Sequence, residues 1–293
     1  MEETIREELG EELVVRPEFQ VINDLLQNPD VTPTEAVQRL LRVRENLHHG
    51  QEPPSEIDGN HTWFTMLLLV EIINLTPPAK QRKLIEFIAE LQRVDLTDPA
   101  TGQSPTAIEL KLWTELPYLE LYLADMYGFR FKAEYARQVD EDPQTEYPPS
   151  KLQEWENRNA FMAQLTAKAE HLRHPMDVSL YALYSCRSAF EEGPLIEEAV
   201  RTACIWYIHA GQRVWENCQI EREYGDDDDP PPRRRFSMEK WRIWKDRLKV
   251  AQLEFPREST QEMIRKALEE IEKAEREEYQ LRVMHLHGMK AFE

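Results

Sequence analysis

Eight histidines among 55 acidic side chains invite a search for metal ligands. His171-x-x-His174-x-x-Asp177 has ligand-type spacing, but Pro175 breaks the helix between His174 and Asp177. A solvated helix end explains the run more simply. Glu45-x-x-His48 is half of a helical di-iron motif, which needs a second such pair and two further glutamates. No second Glu-x-x-His occurs in the chain. His48-His49 and His285-Leu-His287 fall at predicted helix ends, where imidazole suits the helix dipole. Cys186, Cys204 and Cys218 lie inside predicted helices, two on apolar faces, where free cysteine is a small buried hydrophobe. There is no GxSxG elbow, no GxxxxGK[ST] loop and no GxGxxG turn. The reading is therefore no metal and no cofactor.

One constellation stands out. Trp206, His209 and Arg213 share a helix flank at spacings of 3 and 4. Arg158 falls inside an apolar stripe near Leu165 and Leu172, and Arg187 sits between Leu183 and Phe190. An inward arginine needs a carboxylate or a ligand. Packed together, Arg158, Arg187 and His209 would line a pocket with Trp206, Asn159 and Trp244, apolar walls with few polar groups. The competing reading is a buried ion-pair network through Glu154, Glu191 or Asp246. Arg234-Arg235-Phe236-Ser237 also matches a basic-directed kinase site, making Ser237 a candidate phosphorylation site; an ordinary Ser N-cap after a solvated loop is the simpler explanation.

The elements that would position these groups are helices punctuated by proline. Thr32-Pro33-Thr34-Glu35 is a capping box opening a helix to about Asn46. His61 to Leu75 is apolar nearly all round, which predicts a central buried helix, stopped at Pro77-Pro78. A helix follows over Ala79 to Gln92. After a loop with Pro99, Gly102 and Pro105, a helix is predicted over Ile108 to Met126, kinked at Pro117. Residues 138–150 are acidic and proline-rich, the first linker signal. Lys151 to Arg173 is the next helix. Asp177 is the N-cap of another, reaching Glu192, and Leu195 to Tyr224 forms one long helix of about 30 residues, roughly 45 Å. Residues 225–236, GDDDDPPPRRRF, form a second loop. Ser237 or Phe236 starts a helix stopped by Pro256, and Ser259-Thr260-Gln261-Glu262 caps a last one, to about His287 with Gly288 as C-cap.

Three blocks resemble an ascomycete fungal family known only as a domain of unknown function. They are Trp155-Glu-Asn-Arg-Asn159-Ala-Phe161, Ala203-Cys-Ile-Trp206-Tyr-Ile-His-Ala210-Gly211, and Phe236-Ser237-Met-Glu-Lys-Trp241-Arg-Ile-Trp244. The segment Pro78 to Leu84 fits the same order, so the resemblance covers most of residues 60 to 275. It implies a fungal origin and an all-helical fold, and brings no catalytic residues.

Composition sets the outer limits. The chain has 293 residues, 9 of them glycine, where average usage would give roughly 20. That shortage argues against Gly-rich nucleotide loops and turn-rich sandwiches. A net charge of -19 argues against a nucleic-acid partner. No 18-residue apolar run exists, so no membrane span is expected. An acidic start and three cysteines predict a cytoplasmic protein, with the nucleus as an alternative. The expected fold is all-α, a bundle of about nine or ten helices without a sheet. It reads as an N-terminal segment over 1–137 and a bundle over 150–293, sharing one core. Its expected function is protein interaction or scaffolding without catalysis. The alternative is a cofactor-independent enzyme or binder of a small apolar molecule in fungal specialised metabolism. Oligomeric state is not legible.

Overall fold

The computed structural model describes residues 2–49, 53–98, 102–125, 149–191, 193–225 and 234–290. They form two compact units. The predicted 138–150 linker, save its last two residues, and 226–233 of the second loop lie outside the described residues. So do the side chains of His285 and His287.

The first unit contains α1 (Glu2–Leu9), α2 (Glu11–Val14), α3 (Pro17–Gln27), α4 (Pro33–Leu47) and α5 (Pro54–Asn74). A 3-10 turn (Pro78–Lys80), α6 (Arg82–Gln92), a hairpin of β1 (Thr106–Ala107) and β2 (Leu110–Lys111), and α7 (Leu119–Asp125) complete it, with the first turns of α8 (Pro149–Lys168). Thr32 caps α4 as predicted, its Oγ1 accepting the Glu35 N–H at 3.2 Å. The apolar run of α5 is the centre of this unit: Met66, Leu68, Leu69, Val70, Ile72 and Ile73 are buried against α3, α4, α7 and β1. Each such burial contributes roughly 1.5–3 kcal/mol. The orphan carbonyls beyond α3 are gathered by a lysine from α6. Lys83 Nζ donates to the carbonyl oxygens of Asn28 and Val31 at 2.8 Å, and of Leu25 and Pro29 at 3.1 and 3.2 Å.

Two expectations are corrected here. α5 starts at Pro54, not His61, because Pro54 takes the first helical position with Glu56 in the first turn. The helix expected over Ile108 to Met126 is mostly absent. Thr106 pairs with Lys111 and Ala107 with Leu110, leaving Ile108 and Glu109 as a two-residue hairpin loop at φ 48° and 68°. That is a primed turn made without the usual Asn-Gly. Trp113, Leu116 and Tyr118 are also left-handed, at φ 68°, 49° and 69°. Each costs of order 1 kcal/mol for a residue with a Cβ. Pro117 precedes α7 rather than kinking it.

The second unit takes the last turns of α8, then α9 (Leu180–Phe190), α10 (Glu197–Gln219), α11 (Met238–Glu254) and α12 (Glu258–Lys290). Its core joins α9, α10, α11 and α12. The stripe Ile264, Ala267, Ile271 and Ala274 of α12 is buried. Ser237 caps α11, its Oγ accepting from Lys240 N at 3.2 Å.

The structure corrects five local readings in this unit. α8 stops at Lys168, not Arg173, because the carbonyls of Ala169 and Leu172 are taken by arginine side chains. Asp177 does not cap α9 directly: Ser179 is the N-cap residue, and Asp177 accepts its N–H and hydroxyl. α10 is shorter than expected and leaves helical geometry at Ala210 (φ −138°, ψ 23°). Ser259 is not the N-cap, since α12 has already begun at Glu258; beside it the Thr260 hydroxyl is buried, donating to Glu197 Oε1 at 2.5 Å. α12 also passes Gly288 and ends at Lys290. The fold is all-α, with the four-residue hairpin its one departure from the expected absence of a sheet among the described residues.

Candidate functional site

Helical spacing puts Glu56, Gly59, Asn60, Trp63 and Phe64 on one stripe of α5. This is the face opposite the aliphatic core. Tyr118, carried on the left-handed segment before α7, faces the same stripe, and the six residues line an open groove of about 380 Å³. That volume lies within the range of ligand pockets. Trp63 is 37% exposed although the later turns of its helix, from Thr65 to Asn74, are largely buried. Its ring meets Phe64 edge-on at 4.6 Å and Tyr122 at 6.0 Å. Gly59 sits inside the helix, and a Cβ placed there would meet nothing within 4 Å.

A buried polar relay backs this face. The Arg16 guanidinium lies 3.3 Å from the centre of the Phe64 ring and donates from Nε to Glu18 Oε2 at 3.2 Å. His61 Nδ1 donates to Glu18 Oε1 at 2.9 Å, with both side chains fully enclosed. Burial pushes the Glu18 carboxyl up, but the His61 bond and the Arg16 bond outweigh it and hold the pKa below its ordinary value. His61 packs edge-on against Trp113 at 5.7 Å, and both His61 Nε2 and Trp113 Nε1 are buried without a hydrogen-bond partner. One turn earlier on α5, Asp58 takes Arg44 through two bonds of 2.7 and 2.8 Å and His48 Nε2 at 2.7 Å. His48 is thus a hydrogen-bond partner of Asp58.

The residues singled out from sequence divide between the units. Arg158 and Asn159 belong to the first. Arg158 donates to Asn74 Oδ1 at 2.9 Å and the Tyr122 carbonyl at 3.1 Å; Asn159 donates to the Trp155 carbonyl at 3.0 Å. Trp206, Trp244, Arg187 and His209 belong to the second. Trp206 and Trp244 are fully buried, and the Trp244 indole N–H donates to Glu191 at 2.8 Å. Arg187 and His209 are half-buried, and burial lowers the His209 pKa. Ser237 is half-buried at its cap.

Sequence reasoning missed a buried ion-pair cluster of the second unit. Asp177, its side chain fully buried, receives Arg213 at 3.1 Å and Arg222 at 2.8 Å. Arg222 also donates to Ser179 Oγ and Asn217 Oδ1, at 3.1 and 3.3 Å. Of the carboxylates expected to answer Arg158, Arg187 and His209, Glu154 pairs with Lys151, Glu191 accepts the Trp244 indole N–H and pairs with Lys240, and Asp246 pairs with Lys249. His171 and His174 stack edge-on at 5.2 Å, each Nδ1 accepting a backbone N–H. Among the described residues no group of three His, Cys, Asp or Glu is arranged to hold a metal ion. All three cysteines are buried. Burial pushes the Cys186 thiol up to about 12, and raises Cys204 and Cys218 as well.

No helix among the described residues is long and apolar enough to cross a membrane. No curated protein and no solved structure matches the chain. Residues 63–248, more than half of the chain and including Trp63, Phe64 and Tyr118 of the groove, match the family described as "Protein of unknown function (DUF3632)", and the chain belongs to that family.

Proposed function

We propose that this protein is a non-catalytic interaction module that docks a protein partner on the Trp63 groove of its first unit. The observation that carries this is an indole left 37% exposed on the helix whose other faces form the core. An exposed aromatic in a concave site is the usual anchor of a protein interface. Two destabilising features at the same place support the reading. Gly59 makes α5 weaker than alanine would, by about 1 kcal/mol, yet leaves its side of the groove open. Tyr118 reaches the groove only through a left-handed backbone. The groups best suited to chemistry are withheld from the groove: His61 is enclosed and the thiols are buried and protonated at neutral pH.

The test is photo-crosslinking from position 60, with position 269 on the exposed face of α12 as control. The reading expects a defined protein adduct from position 60, reproduced with the purified partner and lost in Trp63→Ala. Equal adducts from both positions, or an adduct indifferent to Trp63→Ala, would remove it.

A further inference from the structure

We infer that the occupant of the groove is a guanidinium group, an arginine side chain presented by the partner. The inference rests on the interaction reading and adds the chemistry of recognition. Trp63, Phe64 and Tyr118 line the groove, and with Arg16 already over one face of Phe64 the rings that await a cation are those of Trp63 and Tyr118. The faces of such rings are electron-rich and attract cations lying over them within about 6 Å. Glu56 is the charged residue among the six that line the groove, and it is exposed, ready to meet an incoming cation. Asn60 stands one turn further along the same stripe with an amide oxygen able to accept an N–H.

The molecule already shows the geometry once. Arg16 lays its guanidinium over Phe64 at 3.3 Å while its N–H groups engage the Glu18 carboxylate. An arginine entering the groove would repeat that arrangement with Trp63 as the stacking ring and Glu56 as the carboxylate. Arg16 does not oppose it, because its charge is neutralised by Glu18. Arginine fits better than lysine, since a planar fork stacks on a ring and pairs with a carboxylate at once. An anionic occupant would face Glu56 and the field of a chain at -19; a basic one is drawn in by both. Gly59 leaves the room the flat group requires, its absent Cβ opening on empty space.

The probe is a short Gly-Ser peptide with one central arginine, titrated into the full chain by NMR, reading the Gly59 amide and the Trp63 indole N–H. The same peptide with citrulline keeps the shape and removes the charge. The expected result is shifts at both reporters, with the citrulline peptide at least ten-fold weaker. Glu56→Gln should bring the two peptides to within two-fold of each other. Gly59→Leu, filling open space at a helical position, should abolish the shift of the Trp63 indole N–H while leaving the melting temperature at or above that of the native chain. Citrulline binding as well as arginine, a peptide with central glutamate binding equally, or no arginine binding at millimolar concentration would each overturn the inference. If the position-60 crosslink persists while the arginine peptide fails to compete with it, the interaction reading stands and the guanidinium assignment fails. Loss of both would sink the two together.

Discussion

The groove of the first unit and the core of the second use tryptophan, arginine and glycine in opposite ways. In the second, Trp241 and Trp244 are sealed into the core and their indole N–H groups donate to Glu275 and Glu191, at 3.0 and 2.8 Å. In the first, Trp63 stands open at a groove and the enclosed Trp113 N–H has no partner. Arg213 and Arg222 converge on one buried carboxylate, whereas Arg16 divides itself between Glu18 and the face of Phe64. A Cβ on Gly211 would touch Glu270 at 3.7 Å; one on Gly59 would touch nothing. Residue type therefore does not mark the site. What marks it is an aromatic side chain left open at a groove beside a glycine that leaves room there, a pattern expected where stability has been given up for binding.

The sharpest way to break this contrast is at the two buried carboxylates. Asp177→Ala leaves two arginines, 12% and 14% exposed, without their shared counter-ion. Removing one side of a buried pair costs about 3–5 kcal/mol, and urea unfolding should show that loss. A loss under about 1 kcal/mol would mean the arginines find water instead, and the second unit would not be the rigid partner in the comparison.

Glu18→Gln should cost less, about 2 kcal/mol at neutral pH, because Arg16 keeps its ring contact and water access. Its signature is the pH profile. A carboxyl whose pKa is lower folded than unfolded adds stability above its unfolded value, about 4.3, and loses it as pH falls through the folded value. The native chain should therefore lose stability on acidification below about pH 5 more steeply than the variant. Parallel slopes in the two proteins would take Glu18 out of the acid response.

The same contrast explains what a sequence can and cannot reveal. Thr32 and Ser237 as caps, and the buried run from Met66 to Ile73, are legible because local pattern and final environment agree. The hairpin is not, because Ile108-Glu109 occupies a turn that Asn-Gly would have announced. Local pattern puts Asp177 just ahead of the right helix but makes it a cap. Its partners Arg213 and Arg222 lie 36 and 45 residues away, beyond any local rule. Trp63 reads in sequence as one more residue in an apolar run. The missed clue is Pro53-Pro54-Ser55-Glu56, a helix start that puts Gly59 inside α5 and exposes its stripe. Arg158, Arg187 and His209 stand out as unusual from their spacing alone; which groups answer them depends on tertiary placement.

Side-chain size at Gly211 and Gly59, both inside helices, gives the next test. Gly211→Leu must drive a branched chain into Glu270 on α12, and overpacking of this kind costs about 1–3 kcal/mol. Gly59→Leu meets no such wall, so it should melt no lower than the native chain. Equal destabilisation by both would show that the groove closes on itself in solution.

The smallest expected effect is also the most specific. Gly59→Ala adds one methyl group to α5 at a position with no neighbour within 4 Å. Nothing is gained in packing, so the change acts through the backbone: alanine restricts the unfolded chain and favours the helix by about 0.5–1 kcal/mol. The variant should therefore be more stable than the native protein by that amount in urea unfolding. A stabilising change this simple, left unused on a core helix, is what a groove kept open for an occupant predicts. If Gly59→Ala is neutral or destabilising, the glycine is there for the helix itself, and the groove loses one of its two supports beside Trp63.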